Sequence, residues 1–152
     1  MKLQKDIREF IELLLSRRVD FLLVGGYALA FHGAPRFTED IDFYVAVNPD
    51  NARRLQQVIL DFGFGETGLS EADFLQKDQV IQLGVAPNRI DLLTGLSGLT
   101  WSEAWESRQQ IELDGLELSV LGREALIRNK RATGRTQDLA DAERLERQRP
   151  PR

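Results

Sequence analysis

RFTEDIDFYV, residues 36–45, makes two opposed demands on one strand. From Ile41 onward the run is rich in β-branched and aromatic residues, as a buried strand requires. Yet Asp40 and Asp42 stand two apart at its start. Side chains alternate faces along a strand, so these carboxylates point one way while Ile41 and Phe43 point the other. Two ionised carboxylates this close repel, and burial raises the pKa of at least one. The arrangement is costly unless a cation sits between them. Hard oxygen donors suit Mg²⁺ or Mn²⁺.

A bare D-x-D pair is weak evidence. With 12 Asp in 152 residues, such a pair arises about once by chance, and an exposed edge strand would explain it. The flanking sequence strengthens the signal. Upstream, DFLLVGG (20–26) reads as a short buried strand ending in two glycines, and YALAFHG (27–33) as a short helix stopped by Gly33 and Pro35. A strand, a Gly25–Gly26 turn and then a helix present free backbone N–H groups to an anion. Glycine lets a phosphate approach with no Cβ in the way. Downstream, Asp91 lies in NRIDLLT, another strand-like run. If the two strands are neighbours, three carboxylates share one site. Such a set can hold two metal ions about 3.5–4 Å apart, suited to in-line attack on phosphorus.

The rest of the chain supplies a scaffold. Leu3, Ile7, Phe10, Ile11, Leu14 and Leu15 recur at helical spacing over residues 3–17. The strand containing the carboxylates is expected over 40–47, followed by a helix over 50–62 and an irregular glycine-rich stretch over 63–74. Residues 80–94 split at PNR into two strand-like runs, and 101–108 read as a short helix. IELDGLELSVL (111–121) reads as a hairpin turning at Asp114–Gly115. From Arg123 two helices are expected, divided near Gly134, with Thr136 as N-cap of the second and a frayed RQRPPR tail.

Composition sets the outer bounds. The chain is long enough for one domain with a sizeable core, and 42% hydrophobic residues argue for folding over disorder. It has no cysteine, which excludes disulfides and thiolate metal sites. The amphipathic N-terminus does not read as a secretory leader, so a cytoplasmic location is expected, and no apolar run approaches membrane-spanning length. The net charge of −4 argues weakly against a general nucleic-acid coat protein. Charge is nonetheless uneven. Residues 123–152 carry nine Lys/Arg against five Asp/Glu, while the preceding 122 residues carry a net −8. That basic end could help to hold a polyanion, or form a solvated helical face.

VGGYALAFHGAPRFTEDIDFYV followed by RIDLLT resembles the nucleotidyltransferase superfamily that includes polymerase β, and is most similar to its small bacterial members related to abortive-infection and toxin–antitoxin systems. Residues 20–94 carry the resemblance, and NKRATGRTQDLADAERL also looks like the Lys…Arg…Asp-Leu-x-Asp helices that close such proteins. The resemblance implies that Gly25 and Gly26 form the triphosphate turn and that Asp40 and Asp42 ligate metal. It makes Asp91 the third carboxylate, assisting deprotonation of the acceptor hydroxyl. Many members carry Ser at the second turn position. Gly26 offers only its backbone there, as in relatives with Gly–Gly.

Other residues invite roles with plainer alternatives beside them. Arg36 and Thr38 precede the pair, and Arg36 could grip a phosphate or be a surface arginine. Lys130 and Arg135 could reach the nucleotide or line a solvated face. His32, the one histidine, reads as a packed or solvated helix-end residue more than as a base. Asp138 and Asp141 read as first-turn charges favouring the helix dipole more than as a second metal site. Trp101 and Trp105 read as core packing more than as a stacking platform for a base.

The expectation is therefore an α/β (α+β) protein with a nucleotidyltransferase-like mixed β-sheet flanked by helices and a C-terminal helical extension. Residues 1–122 would form the catalytic core, with 123–152 packed on it as part of a single domain. Its activity would be metal-dependent transfer of an NMP from an NTP to a hydroxyl, with Mg²⁺ or Mn²⁺ as cofactor. Acceptors of three classes fit: RNA, a protein side chain or a small molecule. The short chain leaves little room for an acceptor domain, so a homodimer or partner chain is expected to complete the site. A non-catalytic binding role, as one half of a toxin–antitoxin pair, is the competing expectation.

Overall fold

The computed structural model describes residues 2–63, 67–85 and 88–148. Their elements run α1 (Lys5–Ser16), β1 (Phe21–Val24), α2 (Gly25–Phe31), β2 (Asp40–Val45), α3 (Pro49–Phe62), a 3-10 turn (Glu71–Leu75), β3 (Val80–Leu83), β4 (Arg89–Leu93), α4 (Trp101–Ser107), β5 (Gln109–Leu113), β6 (Leu116–Val120), α5 (Arg123–Thr133) and α6 (Thr136–Arg147). The six strands form one mixed sheet in the order β3-β4-β2-β1-β6-β5. Two of its pairings are parallel, β1 with β6 and β2 with β4. The others are antiparallel.

The alternation along β2 divides the molecule. Ile41, Phe43 and Val45 are fully buried on one face. There Phe43 meets Phe10 of α1 and Phe21 of β1, and Phe10 meets Phe62 of α3 edge-on with ring centroids 5.2 Å apart. Helix α1 supplies this core through Ile7, Phe10, Ile11 and Leu14, an i, i+3, i+4, i+7 stripe. Helix α3 supplies Leu55, Val58 and Ile59, its start set by the Asn48 side chain capping Asn51 N–H and by Pro49 in the first turn. On the opposite face Asp40, Asp42 and Tyr44 follow one another. Tyr44 packs edge-on against Trp101 of α4 at 4.9 Å, so helices cover both sides of the sheet.

Several boundaries differ from the sequence expectation. The first strand ends at Val24 and not at the second glycine, because Gly25 takes φ +68° and opens α2. β2 stops at Val45, where Asn51 Nδ2 donates to the Ala46 carbonyl at 2.8 Å and clamps the strand end. The hairpin begins two residues earlier than expected, and Asp114 and Gly115 both take positive φ, as a two-residue turn of this hand requires. Within 63–74, only part of which lies in the described residues, a capping box between Ser70 and Asp73 starts a 3-10 turn that buries Phe74. The N-cap of α6 is Arg135. Thr136 is its first helical residue and caps nothing. Of the RQRPPR tail expected to fray, Arg147 closes α6 and Gln148 is its C-cap, while residues 149–152 lie outside the described residues, as does Pro87 of the PNR break. No helix among the described residues is long and apolar enough to cross a membrane.

Candidate active site

β2 and β4 run parallel as direct neighbours, with Asp42 opposite Asp91 and Asp40 opposite Arg89. Paired residues on adjacent strands share a face, so the three carboxylates converge. One oxygen from each lies within 4.8 Å of the others. They line a cavity of about 590 Å³ that also touches Gly25, Arg89, Asn129 and Lys130. A second recess of about 230 Å³ adjoins it, lined by Gly25, Gly26, Arg36, Thr38, Lys130 and Arg135. Every residue given a nucleotide role above therefore faces one or both hollows.

The backbone at Gly25 is fitted to the carboxylates. A Cβ there would collide with Asp42 Oδ2, and φ +68° disfavours any other residue. A Cβ at Gly26 would lie 3.0 Å from the Thr38 side chain. Thr38 in turn donates its hydroxyl to Asp40 Oδ1 at 2.8 Å, which orients that carboxylate. α2 begins without a side-chain cap, so no side chain claims its first N–H groups.

Sequence reasoning missed Arg89. Its Nη2 donates to Asp40 Oδ2 at 2.7 Å and to Asp91 Oδ2 at 3.2 Å, and its Nε donates to Asp91 Oδ1 at 3.1 Å. The signal was present: Arg89 lies two residues before Asp91 in one strand-like run, hence on the same face.

One guanidinium does not neutralise three carboxylates, and their proton affinities diverge. Burial drives Asp42 up to about 7, with the charges of Asp40 and Asp91 adding to the rise and Lys130 opposing it. Burial also lifts Asp91, against the pull of Arg89. Burial acts upward on Asp40 as well, but the Thr38 hydroxyl and Arg89 outweigh it and hold this carboxyl below its ordinary value. The set thus has too few cationic partners to neutralise it. Three hard oxygen donors on one rigid face fit a divalent ion of the Mg²⁺ or Mn²⁺ type.

The C-terminal helices build the other wall. Lys130 is buried and donates to Asp138 Oδ1 at 3.2 Å, with Asp141 Oδ2 at 3.7 Å. Asp138 also accepts from Thr133 at 2.7 Å and Arg135 at 2.9 Å, and Asp141 pairs with Arg36 at 3.2 Å. Asp138 does lie in the first turn of α6, as expected, and Asp141 lies a turn further on; both are buried and anchor three cations. Lys130 likewise does not sit on a solvated face. Arg135 is largely exposed.

Three residues lie apart from the carboxylates. His32 is buried, its Nε2 hydrogen-bonded to the Leu121 carbonyl at 2.8 Å and its imidazole held below the usual range chiefly by burial. It lines neither hollow, which removes it as a base. Trp101 and Trp105 stack on each other at 5.3 Å, with Arg108 over Trp105.

Comparison with known proteins agrees with this geometry. Residues 14–124 match the family described as nucleotidyl transferase AbiEii toxin, Type IV TA system. No curated protein sequence matches the chain. Among solved structures, a candidate nucleotidyltransferase of Thermotoga maritima superposes with TM-score 0.57 at 15% identity, over 92% of this chain and 88% of that one. The lincosamide antibiotic adenylyltransferase LnuA, bound to lincomycin, gives 0.55 at 11% identity over 95% and 97%. An antigenic nucleotidyltransferase-like protein from Paracoccidioides brasiliensis gives 0.53 at 19% identity over 92% and 74%. At these identities the likeness is one of fold.

Proposed function

For a chain that belongs to the nucleotidyl transferase AbiEii toxin family, as this one does, we propose metal-dependent transfer of a nucleoside monophosphate from an NTP to a hydroxyl acceptor, with release of pyrophosphate. The observation that carries this reading is the convergence of Asp40, Asp42 and Asp91 from two parallel strands beside Gly25. A divalent ion held by these oxygens supplies Lewis-acid polarisation of the transferred phosphoryl group and acidifies a nearby hydroxyl.

The chain's own groups then divide the remaining work. The N–H groups at the start of α2 and the side chains of Lys130, Arg36 and Arg135 hold the polyphosphate in the smaller recess, where these three cations face Asp40, Asp42 and Asp138. Thr38 keeps Asp40 oriented. Asp91 takes the proton of the acceptor hydroxyl, a role that its raised proton affinity favours. The family description also supports a place for this chain as the toxin of a toxin–antitoxin pair, the transfer itself being the toxic act.

The test is transfer of label. The protein is incubated with each of the four α-labelled NTPs, Mg²⁺ and a cell extract, and the label is followed into RNA, protein and small-molecule fractions. Label should enter one fraction with wild-type protein and none with folded Asp42→Asn. No transfer from any NTP would leave the non-catalytic binding role standing instead.

A further inference from the structure

Arg89 is the one cation bonded directly to the triad among the described residues, and it claims oxygens that a metal ion would need. Its guanidinium spans Asp40 and Asp91, occupying an oxygen of the first and both oxygens of the second. Two oxygens bound to one Mg²⁺ stand at most about 4.2 Å apart, twice the metal–oxygen distance. One oxygen from each carboxylate already lies within 4.8 Å of the others, and the guanidinium bonds to two of the three groups that would share an ion. A divalent ion at that point would also face a fixed positive charge at close range.

Resting on the nucleotidyltransferase reading, we infer that Arg89 is a displaceable counter-ion. It bridges and partly neutralises Asp40 and Asp91 in the metal-free protein, leaves them when metal arrives with the triphosphate, and takes a phosphate oxygen as its new partner. Arginine suits both halves of this exchange, since its planar fork matches carboxylate and phosphate equally well. The half-exposed side chain of Arg89 is free to swing along the cavity it lines, whereas the buried Lys130 is held between two aspartates. The consequence is coupling. Metal alone must evict Arg89 with nothing to receive it, while metal with NTP supplies the new partner. Each should therefore strengthen binding of the other.

The experiment is titration with Mn²⁺ alone, followed by electron paramagnetic resonance, on wild type, Arg89→Gln and Arg89→Lys. Arg89→Gln should bind Mn²⁺ about tenfold more tightly than wild type, within the usual range of such couplings. Arg89→Lys, which keeps the charge, should stay near wild type. Mn²⁺ bound by wild type with no gain in Arg89→Gln, or an equal gain in Arg89→Lys, overturns the role of Arg89 and leaves the metal site intact. No Mn²⁺ bound by either wild type or Arg89→Gln overturns both. Should Arg89→Gln fail to fold, the Arg89 Nε–H resonance of the wild-type protein gives the answer under Mg²⁺ titration. It should move as the Gly25 amide moves. A fixed Arg89 signal beside a shifting Gly25 amide refutes displacement, and no shift in either refutes the metal site as well.

Discussion

Two charged clusters wall the same groove, and they are built oppositely. The β2–β4 cluster sets three carboxylates against one guanidinium. The α5–α6 cluster sets Lys130, Arg135 and Arg36 against Asp138 and Asp141. The first is short of positive charge and carries Asp42 pushed up to about 7 by burial and its neighbours. The second has cation to spare, with each aspartate paired at least twice. An under-neutralised cluster waits for a cation from outside. A satisfied cluster holds its cations in place. The same chemical groups are therefore left under-neutralised on one wall and are braced by their partners on the other.

Mutation should separate the walls by sign as well as size. The largest effect is on chemistry. Asp40→Asn or Asp42→Asn should lower any transferase rate by about 10³-fold or more, because metal electrostatics and positioning supply most of the catalysis in such transfers. Steady-state transfer assays with the identified NTP check this, and activity within tenfold of wild type would move the chemistry elsewhere.

Gly25→Ala comes next. It forces a residue with a Cβ into φ +68° and drives that Cβ into Asp42 Oδ2. A loss of about 3 kcal/mol in stability is expected. Urea unfolding measures it, and an unchanged midpoint would mean that the turn relaxes freely.

Lys130→Met tests the satisfied wall. Removing this buried cation leaves Asp138 and Asp141 with Arg135, Thr133 and Arg36 only, at a cost of about 2 kcal/mol, below the full penalty for orphaning a buried charge. The melting temperature should fall, and NTP binding should weaken with it.

Asp42→Asn should act in the opposite direction on stability. The Asp42 carboxyl rises from 3.8 to about 7 on folding, so the folded state binds this proton more tightly than the unfolded chain does. Its contribution is fully present below the unfolded value and is lost as pH rises through the folded one. Without metal, Asp42→Asn should therefore gain on the order of 1–2 kcal/mol at pH 8 and almost nothing at pH 4. Saturating Mg²⁺ and NTP should reverse the ranking, since wild type is stabilised by ligand and the variant is not. Melts at both pH values decide it. A variant less stable at pH 8 without metal would make Asp42 a structural hydrogen-bonding group.

Arg135→Gln should do least to the fold. The side chain is 78% exposed, so the change should stay below about 1 kcal/mol. Weaker NTP binding at low salt is its expected signature.

The chemistry of the site was legible in short stretches of sequence because it follows local rules. Strand periodicity alone put Asp40 and Asp42 on one face, and a glycine pair between strand and helix marked the turn beside them. Helical spacing in α1, the Asp114–Gly115 turn and the break at Gly134 were legible for the same reason, since each depends on residues only a few positions apart. What the sequence could not decide was which strand lies beside which. Asp91 reaches Asp42 because β4 enters the sheet parallel to β2, a pairing across 49 residues that no local pattern encodes. Periodicity alone puts Arg89 on the face of Asp91, but only that register brings it to Asp40 as well. Asp138 and Asp141 sit on a helix face that would be solvated in isolation. They are buried because α6 folds back on α5, and in that setting Lys130 gives each a partner. Local periodicity determines which way a side chain points, and only the tertiary fold determines what it meets there, because burial and pairing energies belong to contacts between distant segments.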